Sequence, residues 1–259
     1  MPSPENQEAT ITADVKLSVA GQSLNLRLTV PVGQTKPTRL LPVLRSISES
    51  LVNAVETRAR AEGFQVSCTK GCGACCRQLV PISETDARRL RELVAGMPEA
   101  RKTAVLARFE DAKQRIGAAG LLERLRSPES IVGDEFKKFG LNYFHQGVAC
   151  PFLEEESCSI HQERPLVCRE YLVVSPPENC ARQTNEPVQV LSMPAEVSMA
   201  ARRLGRGAEG VPVDHWVPLI LALGWADAHG EEPSRPGPEI VKEIFAGLVK
   251  KELPPPSND

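Results

Sequence analysis

Residues 38–76 read TRLLPVLRSISESLVNAVETRARAEGFQVSCTKGCGACC, a helical stripe that runs directly into a knot of cysteines. Leu40, Leu44, Ile47, Leu51 and Val55 recur at steps of three and four, which places them on one face of a helix starting near Thr38. Gly63 is positioned to end that helix. The next residues bring Cys68, Cys72, Cys75 and Cys76 within nine positions. Working outward, the apolar residues before the helix alternate instead. Val15, Leu17 and Val19, then Leu24, Leu26, Leu28 and Val30, with a turn at Ala20–Ser23, predict a β-hairpin. A lone hairpin is marginal in water, so its apolar face is expected to dock on the following helix.

Downstream, Ser83 and Asp86 resemble a capping box ahead of Leu90, Leu93 and Val94. Pro98 is expected to open a helix through Val105, Leu106, Phe109 and Ile116, and residues 134–145 a further helix carrying Phe136, Phe139, Tyr143 and Phe144. A second cysteine group follows: Cys150, Cys158, Cys168 and Cys180. Val188–Met193 then reads as a short strand, and Pro194–Leu204, Asp214–Ala228 and Pro238–Leu253 as three helices. The fold class expected is mostly α (α+β), a helical protein with a small N-terminal β-hairpin and a central cysteine-rich metal-binding region. The segments divide as 1–63 hairpin and long helix, 64–182 cysteine-cluster domain, 183–253 C-terminal helical segment and 254–259 a disordered Pro-rich tail.

The chain has 259 residues, 41% hydrophobic and 25% charged, enough for a sizeable core without crosslinks. Lys+Arg (31) nearly balance Asp+Glu (33) and aromatics are only 4%, so neither a basic field nor a stacking platform for nucleic acid is present. The N-terminus lacks a basic region and an apolar stretch, and the longest apolar run, Trp216–Trp225, is about half a membrane span. No nucleic-acid or membrane partner is expected, and the location expected is cytoplasmic. Thiols stay reduced there, so clustered cysteines favour metal ligation over disulfides.

Thiolates are soft, charged donors suited to Zn²⁺ and to iron–sulfur clusters. Gaps of two and three residues return several sulfurs to one place if the backbone turns sharply, and Gly71 and Gly73 flank Cys72 for that purpose. Cys75 and Cys76 point apart in any regular element, so either they serve different centres or one ligates while the other packs or reacts beside it. In the second group, Cys150–Pro151 stiffens one ligand turn. Arg164–Pro165 suggests a helix with Pro165 at its first position, placing Cys168 near a positive end that favours thiolate. Arg164 and Arg169 either offset the charge of a thiolate centre or make surface pairs with Glu163 and Glu170.

Taken with Cys150-Pro-Phe-Leu, Cys158-Ser-Ile-His and Arg164-Pro-Leu-Val-Cys-Arg, the chain resembles the YkgJ-type cysteine-cluster family over about residues 64–182. That family is described as a zinc- or iron-chelating domain, marked by CxxCxxCC. Two departures are visible: Cys68 and Cys72 are separated by three residues instead of two, and His161 stands where tyrosine is common. The resemblance implies a metal-binding protein holding zinc or iron, the latter including a 4Fe-4S cluster. Flagellin lysine N-methylases share a similar cysteine cluster associated with an iron–sulfur centre, which implies the alternative of an iron–sulfur enzyme, with methyl transfer to a protein side chain, or an electron carrier.

The expected metal ligands are Cys68, Cys72, Cys75, Cys150, Cys158 and Cys168, followed by Cys76 and Cys180. His161 is read as a polar helix-end residue, with ligation as the alternative; His145, His215 and His229 are read as structural. Glu154, Glu155 and Glu156 read as a solvated loop, with oxygen ligation as the alternative. Cys68-x3-Cys72-x2-Cys75 also has the spacing of radical S-adenosylmethionine enzymes, but the alternating β/α units of their barrel are absent. No Walker loop, HExxH, dinucleotide fingerprint or Ser-His-Asp order appears, so whether the chain is an enzyme stays open.

Overall fold

The structure, a computed structural model, describes residues 9–19, 22–182, 188–205 and 215–248. Strands β1 (Thr10–Val19) and β2 (Gln22–Pro31) form the antiparallel hairpin, with Val15 opposite Leu26 and Leu17 opposite Leu24. The expected turn falls in part on residues 20–21, outside the described residues. On β2, Leu26, Leu28 and Val30 are buried while the residues between them are not, the period of a half-buried strand.

That face packs on α1 (Pro37–Ala61), which buries Leu40, Leu41, Leu44, Ile47 and Leu51. Pro37 occupies the first turn, where its missing N–H costs nothing. The free Thr38 N–H donates to the Glu232 carboxylate at 2.8 Å, and the Thr85 hydroxyl donates to its other oxygen at 2.8 Å. At the far end Gly63 is left-handed (φ +86°), Phe64 N–H bonds Ala59 O, and Gly63 N–H bonds Arg60 O. This paired closure is the Schellman motif that the glycine foretold.

Strand β3 (Gln34–Thr35) precedes α1 and β4 (Pro81–Ile82) precedes α2 (Glu84–Ala95), after which α3 (Glu99–Ala118), α4 (Leu122–Arg126) and α5 (Asp134–His145) follow. On α3 the buried stripe is Val105, Phe109, Ala112 and Ile116; Leu106, expected on it, faces solvent. Past α5 the elements shorten: the tiny hairpin β5 (Leu153–Glu154) and β6 (Ser157–Cys158), then α6 (Leu166–Glu170) and α7 (Pro177–Ala181). Then come α8 (Val197–Arg202), α9 (Ala222–Ala228) and α10 (Gly237–Leu248). The architecture is mostly α, with the cysteine-rich region in its middle.

Three expectations change. Of the helix expected over 214–228, Asp214 lies outside the described residues and the rest is not one helix: Val217–Pro218 pairs antiparallel with Pro81–Ile82, a 3-10 turn covers Leu219–Leu221, and only Ala222 onward is α. Pro218 cannot feed a helix ladder, and Leu219 N–H instead bonds Val80 O at 3.0 Å. Val188–Met193 makes a single bridge, Val190 to Val173, in place of a strand. The helix read from Pro194 begins only at Val197. Residues 249–253 and the expected tail 254–259 lie outside the described residues, as do residues 1–8.

Glu170 shows how the core positions the cysteine region. Its buried carboxylate accepts from Val197 N–H at 2.9 Å and Ser198 N–H at 3.1 Å, capping α8 from α6. Burial raises its pKa, opposed by those bonds. Glu170→Ala leaves two buried donors unsatisfied and is expected to cost about 2 kcal/mol, with Glu170→Gln costing roughly half. Urea midpoints that coincide for wild type and Glu170→Ala would refute the role.

Candidate metal centre

The first cysteine group lies on a tight turn. Gly71 is left-handed (φ +95°), Cys72 N–H bonds Thr69 O at 3.0 Å, and Ala74–Arg77 then winds as a 3-10 turn. Gly73 serves a different purpose from the one read in the sequence. Its φ is an ordinary −103°, but a Cβ there would run into Glu156 O and stand 2.5 Å from Leu153 Cδ1. The glycine therefore lets the turn lie directly on the β5–β6 hairpin, whose two central residues, Glu155 (φ 48°) and Glu156 (φ 55°), are left-handed. Gly73→Ala is expected to cost about 1–3 kcal/mol by overpacking and to lower metal content per chain. Gly33→Ala, with open space around it, is the control. Unchanged metal content in Gly73→Ala would refute this packing argument.

Backbone bonds tie the two cysteine groups together. Cys150 N–H donates to Cys76 O at 2.7 Å, and Ser67 N–H donates to Val173 O at 2.8 Å. Val173 N–H donates to Cys68 Sγ at 3.3 Å. Arg77 clamps Glu156 through two bonds of 2.5 and 2.9 Å, and Arg108 holds Glu154 at 2.7 Å. The carboxylates of Glu154 and Glu156 are thus engaged by arginines on the hairpin's flank. Asp86, buried at the start of α2, accepts from the Ser83 hydroxyl at 2.8 Å and from Leu166 N–H at 3.4 Å, which anchors the start of α6 and so places Cys168.

Six of the eight cysteines, Cys72, Cys75, Cys76, Cys150, Cys158 and Cys168, line one cavity of about 300 Å³. All eight thiols are free. They line the space and do not meet at a point. Among the described residues, no three Cys, His, Asp or Glu side chains stand close enough to hold a single ion. Cys68 and Cys180 lie outside this lining, and Cys180 is buried on α7 against the 74–77 turn.

Burial pushes the Cys150 thiol up to about 12, and it also raises Cys158 and Cys168. The expectation that a helix end would favour thiolate at Cys168 therefore fails: Pro165 caps α6 from outside it, and desolvation dominates. Cys180 is raised to about 11 by burial, then by the neighbouring Cys75, Cys68 and Cys72. Burial also raises Cys68, against the Val173 N–H bond. Cys76 hydrogen-bonds Cys75, which lowers Cys75 and raises Cys76, so Cys75 is the first of the pair to ionise.

Arg164 faces the same cavity, and its Nε is buried without a hydrogen-bond partner. Neither of the expected surface pairs forms. Glu163 is taken by Arg45 at 2.8 Å and Arg89 at 3.1 Å, and Glu170 by α8. The Arg164 charge favours thiolate at Cys68, Cys75, Cys158 and Cys168. Arg169 instead braces the loop, donating to Arg164 O at 3.2 Å and to Gln162 O. His161 lines the cavity from a 3-10 turn, and burial followed by Arg164 and Arg169 lowers its pKa toward the neutral imidazole that ligation requires. Tyr171, hydrogen-bonded by Gln78 and also on the wall, had no signal in the cysteine spacing. The donor set fits a thiophilic metal: many sulfurs, a spare cation and little access for hard oxygen ligands.

Residues 67–188 match the CxxCxxCC family model, described as "Putative zinc- or iron-chelating domain". The CxxCxxCC segment is just under half of the chain and contains all eight cysteines. It spans the turn, the β5–β6 hairpin, α6 and α7 described above. No curated protein and no solved structure matches the chain. The sheets are all two-stranded and antiparallel among the described residues, so the radical-enzyme spacing of Cys68, Cys72 and Cys75 sits outside a β/α barrel. Among the described residues no helix is long and apolar enough to cross a membrane.

Proposed function

We propose that the protein binds zinc or iron through Cys72, Cys75, Cys76, Cys150, Cys158 and Cys168, with Cys68 and Cys180 contributing from the adjoining wall. The observation that carries this reading is the convergence of six thiols from separate chain segments on one cavity, with the unpartnered Arg164 Nε beside them. A cation there relieves the desolvation and mutual repulsion that hold Cys150, Cys158 and Cys168 protonated. Arg164 offsets the residual negative charge of a thiolate-rich centre. The reading belongs to a reducing compartment such as the cytoplasm, where the thiols stay available.

A second reading, an iron–sulfur centre acting in electron transfer or in an enzyme, draws support from the size of the thiol-lined cavity. Thiols around about 300 Å³ suit an inorganic unit larger than one tetrahedral ion. Anaerobic purification followed by zinc, iron and acid-labile sulfide quantification separates the two. Zinc without sulfide supports the simple chelator; iron with sulfide and a brown colour supports the cluster. Protein that retains and takes up neither metal refutes both.

A further inference from the structure

Strand β1 leaves one edge of the hairpin open. Among the described residues it pairs with β2 alone, and it is β2 that packs on α1 and α10. Burial of the two strands differs accordingly. Leu26, Leu28 and Val30 of β2 are buried, whereas their opposite numbers on β1 grade outward: Val15 is half-buried, Ala13 is exposed and Ile11 is 49% exposed. Long edge strands are commonly blunted by a proline, a bulge or an inward-pointing charge. None of these occurs on β1, whose register with β2 runs unbroken over ten pairs.

We propose that β1 is the pairing edge of a homodimer, joining β1 of a second copy antiparallel about a two-fold axis at Val15 to make a continuous four-stranded sheet. This surface is separate from the cysteine cavity and does not depend on the metal-binding reading. The backbone restricts the register first. Val32 N–H donates to Ala9 O at 2.8 Å, so odd-numbered residues of this strand turn their N–H and C=O groups toward β2. Even-numbered residues from Thr10 to Ser18 therefore present theirs along the open edge. A two-fold pairing must then set even residues against even ones.

Charge makes the remaining choice. Asp14 and Lys16 are the only charged residues on β1; both are exposed, and neither forms an ion pair among the described residues. An axis at Asp14 or at Lys16 would lay like charge on like charge. An axis at Val15 sets Asp14 opposite the partner's Lys16 and Lys16 opposite the partner's Asp14. Thr12 then faces the partner's Ser18. On the other face of the sheet, Val15 meets the partner's Val15 and Ala13 meets the partner's Leu17, which extends the apolar face of the hairpin across the axis. Each contact occurs twice, as a two-fold interface requires.

Sedimentation velocity tests this on the full chain, kept anaerobic with reductant so that the thiols form no crosslinks. Wild type is expected to pass from monomer to dimer as its concentration rises from sub-micromolar to high micromolar. Lys16→Asp and Asp14→Lys each place like charges opposite one another twice, and each is expected to weaken the dimer by about tenfold or more. An equimolar mixture of the two variants is expected to associate again, because every charge at the axis then faces its opposite. Hydrogen exchange reads the same edge in unaltered protein: the N–H groups of Asp14 and Lys16 should gain protection with concentration, while that of Val15, turned toward β2, should not change. Wild type that stays monomeric overturns the proposal. So does a dimer that neither variant weakens, a mixture that fails to associate, or a dimer whose Asp14 and Lys16 amides stay unprotected. Should a variant lose its wild-type circular dichroism, the wild-type exchange pattern decides.

Discussion

Zinc affinity is expected to climb at least about a thousandfold per pH unit between roughly pH 6 and 9, more where Cys76 also ligates, and to go on climbing above that. The reason lies in the thiols that must ionise to bind. Burial raises Cys150 to about 12 and carries Cys158 and Cys168 upward as well. Below those raised values each of the three is protonated in the metal-free protein. Each therefore gives up one proton on ligation, and each proton released contributes about tenfold per pH unit. The sign follows: protons compete with metal, so affinity falls as pH falls. Ordinary thiols would level off near their unperturbed value, whereas these keep the profile rising past it. Cys75 adds little to the slope above its own lowered value, because the Cys76 hydrogen bond already favours its thiolate. Removing the opposing charge with Arg164→Met should weaken binding at fixed pH by raising Cys158 and Cys168 further. Competition against a chelator of known proton affinity measures both effects, and a pH-independent zinc affinity would contradict the argument.

What the sequence discloses and what it withholds separate along physical lines. Local periodicity and local stereochemistry are legible: the α1 stripe, the Gly63 stop and the full extent of α5 all depend on residues within a turn or two of one another. The cysteines stand out as candidate ligands because thiols clustered at short spacing have few other uses. Nonlocal choices were hidden. Pro218 and Val217 pair with a segment more than a hundred residues earlier, so an apolar run that reads as helix becomes a strand and a 3-10 turn. Gly73 stands out in the sequence as a turn glycine, but its reason, the approach of Glu156 and Leu153, depends on a hairpin about eighty residues away. The same holds for Glu163, whose partners Arg45 and Arg89 come from α1 and α2 and so leave Arg164 to the cavity. At Cys168 burial, which no local pattern discloses, outweighs the nearby helix end.

Stripping the metal is expected to lower the unfolding free energy by about 4 kcal/mol, taking wild type held at a thousandfold excess of free metal over Kd as the reference. The loss should be local in origin. Between Val148 and Arg182 the longest regular elements are the five-residue helices α6 and α7, and the strands are two residues long. Elements that short have no stability of their own and depend on what they pack against. Their apolar anchors, Phe152, Ile160, Leu166 and Leu172, are distributed over separate cores and hold single points of the segment. Metal–thiolate bonds from the 68–76 turn to Cys150, Cys158, Cys168 and Cys180 would close loops of many tens of residues, where a crosslink restricts the unfolded chain most. The core formed by α1, β2 and α10 keeps its own contacts through Leu41, Leu44, Ile47 and Ile244 and should persist. Hydrogen exchange after chelation should therefore show protection lost across residues 148–182 and retained in the middle of α1. Uniform loss in both regions would mean that the metal supports the whole fold, and unchanged protection in the cysteine region would mean that no metal crosslinks it.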